Sequence, residues 1–144
     1  MIETLIRVGT TYVPVRNVDH SARWYREKLG ATITYCDDEK AILNLADQSF
    51  FLVRSLVGET SNFTDYKGNI RFSLTFEVDG MEALTTLHAK FKQEGVQTGT
   101  IEDRGHPGRN FVFSDPDGNA FDVWSILSPT YKALRKEAVL ENER

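Results

Sequence analysis

One order of elements occurs twice in this chain, and it constrains the fold more than any single residue does. Thr10-Thr-Tyr-Val-Pro-Val15 alternates, with Thr11, Val13 and Val15 on one side and Thr10, Tyr12 and Pro14 on the other. That is the signature of a strand with one apolar face. Pro14 donates no hydrogen bond and belongs near an edge or an end. Asn17 offers a side-chain cap for a helix from about Val18 to Leu29, with Ala22, Tyr25 and Leu29 on one face and Gly30 as the stop. Three short strands follow, near Thr32–Cys36, Ala41–Leu45 and Ser49–Arg54, the last two joined at Asp47-Gln-Ser.

After a polar connector at 56–69 the order recurs. Arg71-Phe-Ser-Leu-Thr-Phe-Glu-Val78 alternates strictly, placing Phe72, Leu74, Phe76 and Val78 on one face. Met81, Leu84, Leu87, His88 and Phe91 recur at helical spacing from about Met81 to Gln93, and Gly95 is the stop. Strands are expected near Thr98–Ile101, Asn110–Ser114 and Ala120–Ile126, with Asp115-Pro-Asp-Gly-Asn119 as the turn between the last two. Each half is one β-α-β-β-β unit, too small to stand alone, so the two are expected to pack together. For residues 128–144 two readings stay open: a tail helix with Tyr131, Leu134, Ala138 and Val139 on one side, or a frayed charged tail.

Composition excludes several classes. A length of 144 residues, 40% hydrophobic and 26% charged, suits one globular domain. A formal net charge of −4 gives no reason to expect a nucleic acid as partner. No run approaches a membrane span, and the N-terminus lacks the basic-then-apolar order of a secretion signal. Cys36 is the only cysteine, which excludes an internal disulfide and a Cys-rich zinc site and favours a reducing, cytoplasmic setting.

Two segments carry a family resemblance. Val15-Arg-Asn-Val-Asp-His-Ser-Ala-Arg-Trp-Tyr-Arg-Glu-Lys-Leu-Gly30 resembles the first-helix signature of the vicinal oxygen chelate superfamily, which holds glyoxalases, bleomycin-resistance proteins and extradiol dioxygenases. Asn17 stands where that signature has Asp. Phe113-Ser-Asp-Pro-Asp-Gly-Asn-Ala-Phe-Asp122 resembles its final hairpin. The resemblance covers about residues 5–127. It implies an α+β fold of two βαβββ modules, about 5–55 and 70–127, forming a cupped mixed sheet around a cleft. It also implies a homodimer.

Metal-using relatives hold a divalent ion with His and Glu at four positions. The resemblance carries these onto Thr10, Leu52, Ser73 and Asp122, of which only Asp122 is a good ligand. No metal and no other cofactor is therefore expected. The histidines do not complete the set: His20 lies in the first helical turn, His88 on the apolar side of the second helix, and His106 in the loop Asp103-Arg-Gly-His-Pro-Gly-Arg109.

Strand parity then nominates a ligand wall opposite the helix-facing sides: Thr10, Tyr12, Leu52, Arg54, Arg71, Ser73, Thr75, Asp122 and Trp124, with Phe50 as a further candidate. An apolar wall with a few placed polar groups is the usual make-up of a small-molecule site. The expected function is metal-independent binding of a small molecule in the cup. Arg54 or Arg71 would meet an anionic or carbonyl group, and Tyr12 and Trp124 would stack on a planar part. The alternative is a lyase-, isomerase- or dioxygenase-type enzyme with a degenerate metal site, in which Asp122 is the base, Tyr12 the acid and Arg71 the stabilising charge. A third reading makes the chain a regulatory module with a vestigial cleft.

Overall fold

The computed structural model describes residues 3–143, so Met1, Ile2 and Arg144 of the terminal readings lie outside the described residues. The chain forms two compact units. One runs up to Ser73 and includes Ser114–Ala120; the other comprises Leu74–Phe113 and the chain from Phe121 onward.

The first unit holds β1 (Thr10–Val15), α1 (Val18–Leu29), β2 (Thr32–Cys36), β3 (Lys40–Leu45) and β4 (Gln48–Arg54), with sheet order β1-β4-β3-β2. β1 runs parallel to β4, while β2, β3 and β4 form an antiparallel meander. α1 starts where the sequence places it. The Asn17 side chain accepts a 3.0 Å hydrogen bond from the His20 N–H, and Gly30 closes the helix at φ 76°. Val13, Val15, Val18, Ala22, Tyr25, Leu43, Phe50 and Leu52 are all buried.

The connector is more ordered than its polar composition suggests. β5 (Phe63–Thr64) pairs antiparallel with β6 (Ile70–Arg71). Asp65 Oδ1 accepts from the N–H groups of Lys67 and Asn69 inside the turn between them. This ribbon corrects the continuous strand expected over Arg71–Val78. Ile70 and Arg71 find their backbone partners in β5, the chain bends at Ser73, and β7 keeps only Thr75–Glu77.

The second unit repeats the topology. Its elements are β7, α2 (Met81–Gln93), β8 (Gln97–Thr98), β9 (Asn110–Ser114) and β10 (Ala120–Trp124), in sheet order β7-β10-β9-β8 with β7 parallel to β10. β8 is shorter than expected. Beyond Thr98 the pairing reduces to Gly99 N–H donating to Val112 O and an isolated Glu102–Asn110 bridge. The core is aromatic: the Phe91 ring of α2 lies 4.9 Å from Phe113, and Phe113 lies 5.5 Å from Phe121. Phe76 joins this cluster 5.7 Å from Phe121, but it is half-buried rather than enclosed as its strand pattern suggests.

Residues 129–142 settle the open reading of the tail in favour of a helix, α3 (Pro129–Asn142). None of its residues is buried, and Leu134, Val139 and Leu140 stay exposed.

Candidate functional site

The final turn, Asp115-Pro-Asp-Gly-Asn119, belongs structurally to the first unit. Its anchor is Asp115. Oδ1 accepts from the N–H groups of Asp117 and Asn119, and Oδ2 accepts from Asn119 Nδ2 and, at 2.7 Å, from the Tyr25 hydroxyl. Asp117 accepts from the Arg16 N–H and the Ser21 hydroxyl. Asn119 Nδ2 donates to Pro14 O, and its Oδ1 accepts from the Ser61 N–H. The two segments that carry the resemblance are therefore hydrogen-bonded to each other. Burial, then the adjacent Asp115, pushes the Tyr25 phenol well above its usual range. Burial raises the Asp115 carboxyl, although the bonds from Asn119 and Tyr25 pull against it. These bonds tie the turn to Pro14 and Arg16 and to α1.

The β10 strand carries the remaining chemistry. Asp122 pairs in register with Thr75, and Trp124 with Glu77, so all four side chains share the face opposite Phe76 and Val123. Asp122 is 2% exposed. Its Oδ2 accepts from Thr75 Oγ1 at 3.1 Å and from Asn110 Nδ2 at 2.9 Å. The Arg104 guanidinium stands 3.1 Å from Oδ1 and holds Glu102 more closely, at 2.7 Å. Burial works against the Arg104 charge, but Glu102 and Asp122 outweigh it and raise its pKa. The loop before β9 folds over Trp124: its indole N–H donates to Pro107 O at 3.0 Å, and the His106 ring stands edge-on at 5.9 Å. Gly108 makes this approach possible. A Cβ there would stand 2.7 Å from Ser125 Oγ and 2.8 Å from Trp124 Nε1.

The nominated wall is thus partly assembled and partly corrected. Thr75, Asp122 and Trp124 come together on one face of the second unit. In the first unit, Thr10 and Tyr12 share an open face with Ser49 and Phe51, and the Tyr12 ring lies 5.2 Å from Phe51. Leu52 does not belong there. It pairs with Val13 and Ala41, is fully buried, and faces the core together with Phe50. Arg54 pairs with Val15 at the end of that same parity, not with Tyr12. Ser49, Phe51 and Val53 hold the open face instead. Arg71 sits in the β5–β6 ribbon with its guanidinium 5.4 Å from the Phe72 ring, and Ser73 is exposed in the bend that follows.

Sequence reasoning missed Arg104 and Asn110. The available signal was weak: an arginine in a Gly/Pro loop and an amide opening a strand. His88 takes a structural place, its Nε2 2.8 Å from Gly99 O and its ring against Phe111. A surface groove of about 600 Å³ runs along α2, lined by residues including Val78, Leu87 and Lys90, and it does not include Asp122.

Two modules of one βαβββ topology define a protein of the α+β class. The profile of the Glyoxalase/Bleomycin resistance protein/Dioxygenase superfamily matches residues 7–123, and the chain belongs to that superfamily. Among solved structures, the fosfomycin resistance protein FosX from Listeria monocytogenes is similar at 16% identity and a TM-score of 0.66, over 90% of this chain and 98% of its own. Lactoylglutathione lyase from Agrobacterium tumefaciens is similar at 14% identity and 0.66, over 85% and 95%. A glyoxylase/bleomycin resistance protein/dioxygenase domain from Frankia sp. EAN1pec reaches 25% identity and 0.66, over 84% and 98%. No curated protein sequence matches the chain.

The Listeria protein has been crystallised with Mn(II) and sulfate. The residues of this chain do not fit such an ion. Leu52 is buried in the core, Thr10 and Ser73 offer only neutral hydroxyls, and Asp122 already faces a guanidinium. Among the described residues, no group of three or more His, Cys, Asp or Glu side chains is placed to hold a metal. A divalent cation beside Asp122 would have to overcome repulsion from Arg104.

Proposed function

We propose that this protein binds a small organic molecule without a metal ion, using the polar-aromatic face of the second unit around Asp122, Thr75, Asn110 and Trp124. The observation that carries the reading is the state of Asp122. Its oxygens are served by Thr75, Asn110 and Arg104, which gives a polar anchor beside an indole instead of an open ligand for a metal. Thr10 and Tyr12 are proposed as ligand contacts of the first unit. For Asp122 to act as a base, as the enzymatic alternative requires, Arg104 would first have to withdraw.

The assembly is proposed to be a homodimer, supported by apolar side chains left open on the first unit. Leu5, Ile6 and Leu56 are each more than three-quarters exposed. No helix among the described residues is long and apolar enough to cross a membrane. A cytoplasmic place is proposed on the single free thiol, Cys36, which is exposed.

The test is a melting-shift screen of small aromatic compounds against protein stripped with a strong chelator. Ligand-induced stabilisation that is equal before and after stripping is expected. Stabilisation that appears only when Mn, Fe, Ni or Zn is restored would overturn the reading.

A further inference from the structure

We infer that α3 docks in the α2 groove of a second copy of this chain, each copy lending its helix to the other. The inference rests on the proposed homodimer and deepens it, because it names the segment exchanged and the surface that receives it.

Two surfaces of the same chain carry it. α3 spans 14 residues, none of them buried, and Leu134 is 59% exposed with Ala138 one turn further on the same side. A helix of this length is marginal in water by itself and draws its stability from packing an apolar face. Arg135 stands over the Tyr131 ring at 5.9 Å, at the border of that face. The groove along α2 is floored by Val78, Ala83 and Leu87. Its described lining comes from Val78, Asp79 and α2, so the α3 of the same copy does not fill it. An amphipathic helix laid in an apolar groove is a recurring mode of recognition.

The order of charges selects the occupant and its direction. Asp79 and Glu82 stand at the N-terminal end of the groove and Lys90 at the other. α3 reverses the signs: Lys132 and Arg135 come early and Glu141 comes late. Laid parallel to α2, Arg135 meets Glu82 and Glu141 meets Lys90, whereas the antiparallel alignment sets like charges against each other. Glu82 and Lys90 are eight residues apart and Arg135 and Glu141 six. That is about 12 and 9 Å along the helix axes, a difference these long side chains cover.

The root of α3 agrees with this direction. Lys132 Nζ lies 3.0 Å from Asp79 Oδ1, and the Ser128 N–H donates to Glu77 Oε1. α3 therefore begins at the N-terminal end of its own groove. A two-fold axis beside Asp79 leads each helix into the other copy's groove from that same end, with matched charges in both.

The experiment is sedimentation equilibrium on the wild type and two charge-reversed full-length variants. The groove variant is Glu82→Lys with Lys90→Glu, and the helix variant is Arg135→Glu with Glu141→Lys; all four side chains are exposed. Each variant alone is expected to self-associate at least tenfold more weakly than the wild type. An equimolar mixture is expected to recover association to within about threefold of the wild type, because the heterodimer matches charges in both grooves. Recovery cannot come from misfolding. Should the groove variant not fold, Glu82→Lys and Arg135→Glu serve as the mixed pair. A mixture that stays as weak as its components overturns the inference, as would a helix lying on its own groove. Variants that associate as tightly as the wild type sink the inference and leave the homodimer standing. A wild type that is monomeric at tens of micromolar overturns both.

Discussion

The Tyr25 hydroxyl donates a 2.7 Å hydrogen bond to Asp115 Oδ2, joining the first helix to a turn 90 residues further along the chain. The phenol is fully buried, and Asn119 Nδ2 also donates to that oxygen. Tyr25→Phe removes the hydroxyl and with it this bond. The expected cost is about 1.5–3 kcal/mol, the range for a hydrogen bond to a charged group, read by urea denaturation. A pH effect accompanies it. The folded state keeps the Tyr25 proton where the unfolded chain releases it, from about pH 10, so the folded state binds more protons and stability falls as pH rises above about 10. The slope contributed by this residue approaches ~1.4 kcal/mol per pH unit and is absent in Tyr25→Phe. Equal alkaline slopes in the two proteins would remove Tyr25 from the account.

Gly108 has φ 79° and lies under Trp124, Ser125 and Ile126. Gly108→Ala combines backbone strain with contacts under 3 Å to groups on a strand and the segment after it. A loss of about 1–3 kcal/mol is expected. The loop must lift, which breaks the Trp124 N–H bond to Pro107 O and shifts the tryptophan emission. Measurement in a Trp24→Phe background isolates Trp124. An unshifted spectrum and unchanged stability would mean that the loop does not rest on Trp124.

Leu52 and Tyr12 test the parity of the first sheet against each other. Leu52 is fully buried, and Leu52→Ala is expected to cost about 2–5 kcal/mol. Tyr12 is 66% exposed on the other face, and Tyr12→Ala is expected to cost under about 1 kcal/mol while weakening any ligand held by the first unit. Reversed costs would restore the assignment of Leu52 to the ligand wall.

Leu5→Asp with Leu56→Asp is expected to convert a homodimer to a monomer in sedimentation equilibrium, because both side chains are exposed and neither supports the core. A monomeric wild type at tens of micromolar would dispose of the dimer.

Local pattern determined much of this fold. Asn17, Gly30 and the 3.6-residue spacing set α1, the Asp-Pro-Asp-Gly-Asn run set the last hairpin, and the repeated order set two equal topologies. These features are legible because each depends on residues within a few positions of one another. What tertiary structure alone decided depends on partners brought from far away. Ser49-Phe-Phe-Leu-Val-Arg54 is apolar at four successive positions, so alternation cannot say which side faces the core. Register against Val13 and Ala41 puts Leu52 inward and Phe51 outward. The strand pattern at Arg71–Val78 was real, but Phe63 claimed Arg71, its first residue, and a strand exists only where pairing is made. Asp122 was legible as a special carboxylate through its motif. Its partner was not: a charge in a glycine-rich loop has no periodicity, and only the folded path of residues 102–110 brings Arg104 to 3.1 Å from it.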